Sequence, residues 1–225
     1  NSAVTITVEG GQFSNLEAFA DDYEICQGEE VQCGVLINEV ILEDDFDPGI
    51  SWGLWEDISN GVQSMDCGAI NENAVYFNGV GERSAQTIAL DVSAGGFVSF
   101  ALQYGEGVFP CDAPEVGEDV VLEYSLDGTN WTDIQILYSF SLNGWEQFNV
   151  EIPVGAESTA TFFKWRQLAN SGVNQDNWSL DNIAVSVLNM ENINFNWFSN
   201  EGTVAIDLPN PVVTPLEDIT YYVEA

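Results

Sequence analysis

Trp178-Ser-Leu-Asp-Asn-Ile-Ala-Val-Ser-Val187 alternates apolar and polar residues in the manner of a β-strand with one buried face. Strict alternation puts Leu180 and Asn182 on one side and Asp181, Ile183, Val185 and Val187 on the other. Asp181 then shares the aliphatic side, where a lone carboxylate is costly unless it is paired or bound to a metal. The earlier run Glu43-Asp44-Asp45-Phe46-Asp47 supplies further acid that can meet it. Two acidic sites far apart in sequence that close one domain read as a Ca²⁺ staple. The plainer alternative leaves Asp181 at a frayed strand end, bound to water.

Outward from this stretch the same pattern recurs. Ala3 to Glu9 alternates and stops at Gly10-Gly11. Val35 to Phe46 reads as a strand region broken at Pro48-Gly49. Ala74-Val-Tyr-Phe77 runs into Asn78-Gly79, a hairpin signal. Ser84 to Val92, Phe97 to Tyr104, Val120 to Leu126, Trp131 to Tyr138, Trp145 to Ile152 and Thr159 to Leu168 follow, each bounded by turn residues. Many short strands with almost no helical period predict an all-β chain, a jelly roll or sandwich.

The composition narrows the setting. Thirty-seven Asp and Glu stand against three Lys and Arg, a net charge of −34, while 45% of residues are hydrophobic. A packed core is therefore expected, and global disorder is not. So acidic a surface repels nucleic acid and anionic membrane and suits a saline or Ca²⁺-rich extracellular medium. No apolar run reaches transmembrane length and no signal peptide is present, which reads as a mature secreted fragment. Four cysteines without any histidine favour disulfides over zinc. The absence of histidine also removes any Ser-His-Asp triad, and with so many acids a carboxylate pair is no evidence for glycoside hydrolysis. A non-enzyme is expected.

An ordered set of motifs carries a family resemblance: Asp45-Phe46; Trp55 with Cys67-Gly68; Ala74 to Phe77; Arg83 then Thr87; Phe100 to Gly105 then Cys111; Val121-Leu-Glu-Tyr-Ser125 with Asp127-Gly128 and Trp131; Ile152-Pro153; Lys164-Trp-Arg-Gln167; and Asn177-Trp-Ser-Leu-Asp181-Asn. Residues 40–188 thus resemble a subdomain of the reelin repeat. The resemblance implies a Ca²⁺-bound jelly roll similar to carbohydrate-binding modules. It implies Asp45 and Asp181 as metal ligands, with Asp44 and Asp47 as further candidates, and a Cys67–Cys111 disulfide. The signalling role of reelin does not transfer, because no Cys-dense EGF-like stretch is present. The flanks, Ile25-Cys-Gln-Gly-Glu-Glu-Val31, Asn196-Trp197 and the tail from Asn210, are similar to Ig-like repeats of large secreted Bacteroidetes proteins. The organisation expected is a jelly roll over 39–189 inserted in a small Ig-like β-sandwich made of 1–38 and 190–225.

Other residues leave alternatives open. Cys26 and Cys33 would sit roughly 23 Å apart in a straight strand, beyond disulfide reach, but a turn at Gln27-Gly28 can join them. Lys164 and Arg166 flank Trp165 on one strand face; they either pair with nearby carboxylates or, with Tyr104 and Tyr138 as stacking rings, form a sugar-binding face. Ala3 to Gly10 aligns with Asp218 to Ala225, which reads as one period of a tandem array. Two function classes follow. One is a structural or adhesive unit of a long bacterial surface fibre whose partners are copies of itself. The other is a carbohydrate-binding module whose partners are glycans.

Overall fold

The computed structural model describes residues 2–8, 16–22, 24–188, 195–200, 202–206, 208 and 210–224. Its strands are β1 (Ser2–Val8), β2 (Leu16–Ala20), β3 (Glu24–Ile25), β4 (Val31–Asp44), β5 (Trp55–Ser59), β6 (Gly61–Ser64), β7 (Ala74–Phe77), β8 (Ser84–Thr87) and β9 (Gly96–Tyr104). They continue with β10 (Val120–Ser125), β11 (Thr132–Leu137), β12 (Glu146–Glu151), β13 (Phe162–Gln167), β14 (Trp178–Leu188), β15 (Asn196–Ser199), β16 (Gly202–Ala205), β17 (Val212–Val213) and β18 (Ile219–Glu224). The fold is all-β. Two compact units divide the chain, Val40–Val187 and the combination of Asn1–Glu39 with Leu188–Ala225.

The larger unit is a jelly-roll sandwich. One sheet runs β11-β10-β13-β8-β5; the other runs β12-β9-β14-β4, with β7 on β14 and β6 on β7. Inward side chains of both sheets make one core. Trp165 of the first sheet meets Phe100 of the second edge to face, with ring centroids 5.4 Å apart, and Phe77 stacks on Trp178 at 3.8 Å. Such rings bring large apolar areas into the centre of the sandwich. Asp127-Gly128 closes the β10–β11 hairpin, with Gly128 in the left-handed region at φ 72°. Asn78-Gly79 forms no hairpin. Both edges of β7 are already taken by β6 and β14, so the chain crosses to β8 in the other sheet.

The smaller unit has a sheet of order β16-β15-β18-β1-β3. Residues 33–37 of β4 pair with β2, and its first two residues pair with β17. Its core gathers Val31, Cys33, Val35, Ile37, Phe195, Trp197, Tyr221 and Val223, and Trp197 Nε1 donates to Leu208 O at 3.0 Å. β1 lies parallel to β18 in the register Val4↔Ile219 to Val8↔Val223.

Candidate functional site

Asp181 is wholly buried, but not among the aliphatic side chains. A register shift falls between Asp181 and Ala184, and Asn182 takes a left-handed φ of 49°. This bulge reverses the alternation halfway along β14. Trp178 and Leu180 before it, and Ile183, Val185 and Val187 after it, all enter the same core. Asp181 is turned to the opposite side, beneath the loop that follows β6. There Oδ2 accepts a hydrogen bond from Ile70 N and Oδ1 from Asn182 N, both at 2.8 Å. Burial pushes the Asp181 carboxyl above the usual carboxylate range, and the charges of Asp47 and Asp45 add to the rise.

The acidic run after β4 divides its duties. Asp44 is buried, and its oxygens are occupied: Oδ1 accepts from Phe46 N at 3.0 Å, and Oδ2 from Ser51 N at 3.0 Å and Trp55 Nε1 at 2.7 Å. It organises the loop. Asp45 Oδ1 receives Asp47 N. Asp47 receives Glu72 N and the Asn73 amide, and these bonds hold its carboxyl below the usual range. Asp47 and Asp181 reach the same loop after β6, and the charge of Asp45 is felt at Asp181, but the three carboxylates do not draw within 4.8 Å of one another, so one ion held by all three needs a local closure of the loop. The ion pairs among the described residues both fall on Glu123, so this anionic pocket has no ammonium or guanidinium of its own. Such a donor set fits Ca²⁺.

Each of the three cations is engaged by acceptors of the protein itself. Arg166 grips Glu123 with two bonds of 2.9 and 2.6 Å. Lys164 lies 3.7 Å from the same carboxylate and 3.8 Å above the Trp131 ring. Arg83 is fully buried; its guanidinium donates to Gly79 O, Gln167 Oε1, Gln175 O, Asp176 O and Gly172 O. The proposed sugar-binding face of Lys164, Arg166, Tyr104 and Tyr138 is not assembled. Tyr104 is buried because its hydroxyl donates to Leu137 O and accepts from Val120 N, both at 2.6 Å. Only Tyr138 shows a ring at the surface, where it packs on Phe140 at 5.3 Å.

An open groove exists elsewhere on this unit, and alternation along the strands does not reveal it. It measures ≈ 750 Å³ and is lined by Glu106, Glu115, Val116, Phe140 and Leu142 above the edge of Tyr104. A hollow of ≈ 340 Å³ adjoins it at Val108 and Phe109. Phe140 is 80% exposed and Phe109 85% exposed, an unusual display for phenylalanine. Phe109 lies in a loop and Phe140 in the short 3-10 turn Ser139–Ser141, where strand periodicity carries no signal.

The sequence profile of Reelin subrepeat B matches residues 60–186, more than half of the chain. This chain belongs to the Reelin subrepeat B family. Among solved structures, the K3 adhesin domain of Lys-gingipain from Porphyromonas gingivalis aligns at 15% identity and TM-score 0.47, over 65% of this chain and 98% of that one. A family 29 carbohydrate-binding module aligns at 9% identity and TM-score 0.43, over 67% and 92% of the two chains. A Caldicellulosiruptor saccharolyticus module solved in complex with mannohexaose aligns at 15% identity and TM-score 0.38, over 66% and 96%.

In this Reelin subrepeat B chain, Cys67 and Cys111 form a disulfide with an S–S distance of 2.04 Å. It ties the loop after β6 to the loop after β9, beside the smaller hollow. Cys26 and Cys33 are free thiols, so of the two alternatives left open by the sequence the bridge is not formed. A turn does form, with Gly28 at φ 84° and Glu29 N bonded to Cys26 O. It leaves Cys26 at the surface, while the alternation of β4 points Cys33 into the core with Val31 and Val35. Burial, with the charge of Asp21 adding, raises the Cys33 thiol to about 11.

Proposed function

We propose that this chain is an extracellular, non-catalytic adhesive module of a secreted bacterial surface protein, and that the jelly roll holds a glycan in the groove beside Phe140. The observation that carries the reading is the pair of almost fully exposed rings, Phe109 and Phe140, on the rims of two adjoining hollows. Exposed aromatic faces stack on the apolar faces of pyranose rings, and Glu106 and Glu115 offer acceptors for sugar hydroxyls. Binding of the purified chain to a panel of immobilised polysaccharides tests it. Phe109→Ala/Phe140→Ala should abolish binding without moving the melting temperature. Undiminished binding by that variant sinks the reading.

The staple of Asp45, Asp47 and Asp181 completes the proposal as a structural Ca²⁺ site. Its support is the buried Asp181 carboxylate with two like charges beside it. Added Ca²⁺ should raise the melting temperature of the native chain more than that of Asp45→Asn; equal rises refute the staple. The smaller unit is proposed as an Ig-like domain that receives the jelly roll as an insertion.

A second reading, assembly with copies of the same chain, rests on β1 and β18. Their parallel register has an offset of 219 − 4 = 215, the same offset at which the two segments resemble each other. Glu9, Gly10 and Ala225, the rest of that alignment, lie outside the described residues. A strand has two edges, and those of β18 are taken by β15 and β1. Covalent tandem copies sharing this segment would ask it to pair with β3 as well. The reading therefore requires β1 to exchange between neighbours. Electron microscopy of the native protein should then show a regular axial repeat, and isolated particles would rule it out.

A further inference from the structure

The structure assigns a second divalent-cation site, distinct from the Asp45–Asp181 staple, to Glu115, Glu118 and Asp176. One oxygen from each of these carboxylates lies within 4.8 Å of the others. Two oxygens bound to one Ca²⁺ at 2.3–2.6 Å each are at most about 5 Å apart, so a single ion can reach all three. Glu115 and Glu118 come from the link between β9 and β10, and Asp176 from the link between β13 and β14.

Clustered acids alone mean little in so acidic a chain. What singles out this group is Asp176. It is 1% exposed, its Oδ2 accepts from Ser171 N, and its Oδ1 has no donor at all. A buried carboxylate oxygen without a partner is expensive. The neighbouring carboxylates of Glu115 and Glu118 add acceptors beside that carboxylate. Glu118 is already oriented, its Oε2 receiving Glu115 N at 2.7 Å and its Oε1 receiving Ser171 Oγ at 3.0 Å.

The local charge sets the valence of the ion. Arg83 is the cation that acts on Asp176 and Glu118, and its donors are directed to carbonyls and to Gln167 instead of to the carboxylates. The three carboxylates of the cluster, with Asp112 beside them through its Oδ2, which accepts from Asp176 N at 3.2 Å, outnumber the single guanidinium, an excess of negative charge that favours a divalent ion. An all-oxygen donor set of this kind selects Ca²⁺ over zinc or copper. Because Glu115 also lines the groove beside Phe140, the ion would fix one wall of that groove to the loop preceding β14.

Calorimetric titration of the whole chain with CaCl₂ at about 0.15 M salt tests the site, since screening at that strength suppresses diffuse binding. Glu115→Gln/Glu118→Gln should lose one bound equivalent, or bind it at least about tenfold more weakly. Glu115→Gln alone, at an exposed position, should act in the same direction. Asp45→Asn should keep this equivalent, which separates the second site from the staple. The charge-matched Glu56→Gln/Glu151→Gln control, on exposed strand positions, should titrate like the native chain. The assignment is overturned if the Glu115/Glu118 variant titrates like the native chain, or if the control loses as much.

Discussion

Replacing Arg83 by methionine removes a guanidinium that satisfies five acceptors at once. Two of its bonds, to Gln167 Oε1 at 3.1 Å and Asp176 O at 2.8 Å, are fully buried; those to Gly79, Gln175 and Gly172 are partly so. Each orphaned buried acceptor costs about 1–3 kcal/mol, and the partly buried ones less because water can reach them. Against this, the variant no longer holds a charge out of water, and burial already draws the Arg83 pKa below its usual value. The net loss expected is about 3 kcal/mol, a large share of the roughly 5–15 kcal/mol that holds a domain together. With a urea dependence of about 2 kcal/mol per molar, the unfolding midpoint should fall by about 1.5 M. Tryptophan fluorescence reports it directly, because Trp165 and Trp178 lie in the same core. Arg83→Lys should recover about half of the loss, since an ammonium offers three donors from a single point rather than a planar fork. A methionine variant whose midpoint stays within about 0.3 M of the native chain would refute the claim that this arginine organises the 172–176 loop.

Other outcomes follow from single features. Glu123→Gln should destabilise by about 2–3 kcal/mol in the same urea assay because it breaks the bidentate grip on Arg166, whereas Lys164→Met should stay within about 1 kcal/mol, since burial lowers the Lys164 pKa more than Glu123 raises it. Equal losses in the two variants would contradict this. Reducing Cys67–Cys111, which are 44 residues apart, should cost up to about 4 kcal/mol of loop-closure entropy and lower the melting temperature; a melt unchanged by reductant contradicts it. At pH 8 iodoacetamide should modify Cys26 and spare Cys33, whose thiol is held at about 11. Peptide mapping that finds both labelled at equal rates would show that Cys33 is not buried as described.

The strand order of residues, their turns and the all-β class are written in short-range patterns, so they were readable. Trp165 faces inward between Lys164 and Arg166 because a strand alternates, and nothing else was needed to see it. The errors arise where local pattern meets a tertiary event. One left-handed residue, Asn182, changes which neighbours Asp181 has, and no alternation rule anticipates it. Tyr104 looks like any strand-end tyrosine until its hydroxyl is found bridging Leu137 and Val120. Cys26 and Cys33 are near in sequence, but the turn that could have joined them leaves one thiol outside and one in the core. Glu115, Glu118 and Asp176 were invisible for a different reason. Among 37 acids no spacing is distinctive, and the three meet only because two distant loops do.

The engagement of every cation within the sandwich has a further consequence for proteolysis. Proteases that cut after lysine or arginine have three bonds to choose from, at Arg83, Lys164 and Arg166. Arg83 is sealed in the interior, and the other two lie on β13, hydrogen-bonded between β10 and β8. A protease needs an extended, detached segment, so none of the three is open to attack until the sandwich itself opens. Trypsin-like enzymes therefore find no accessible site in these 225 residues while the sandwich stays closed, whatever the charge of its surface.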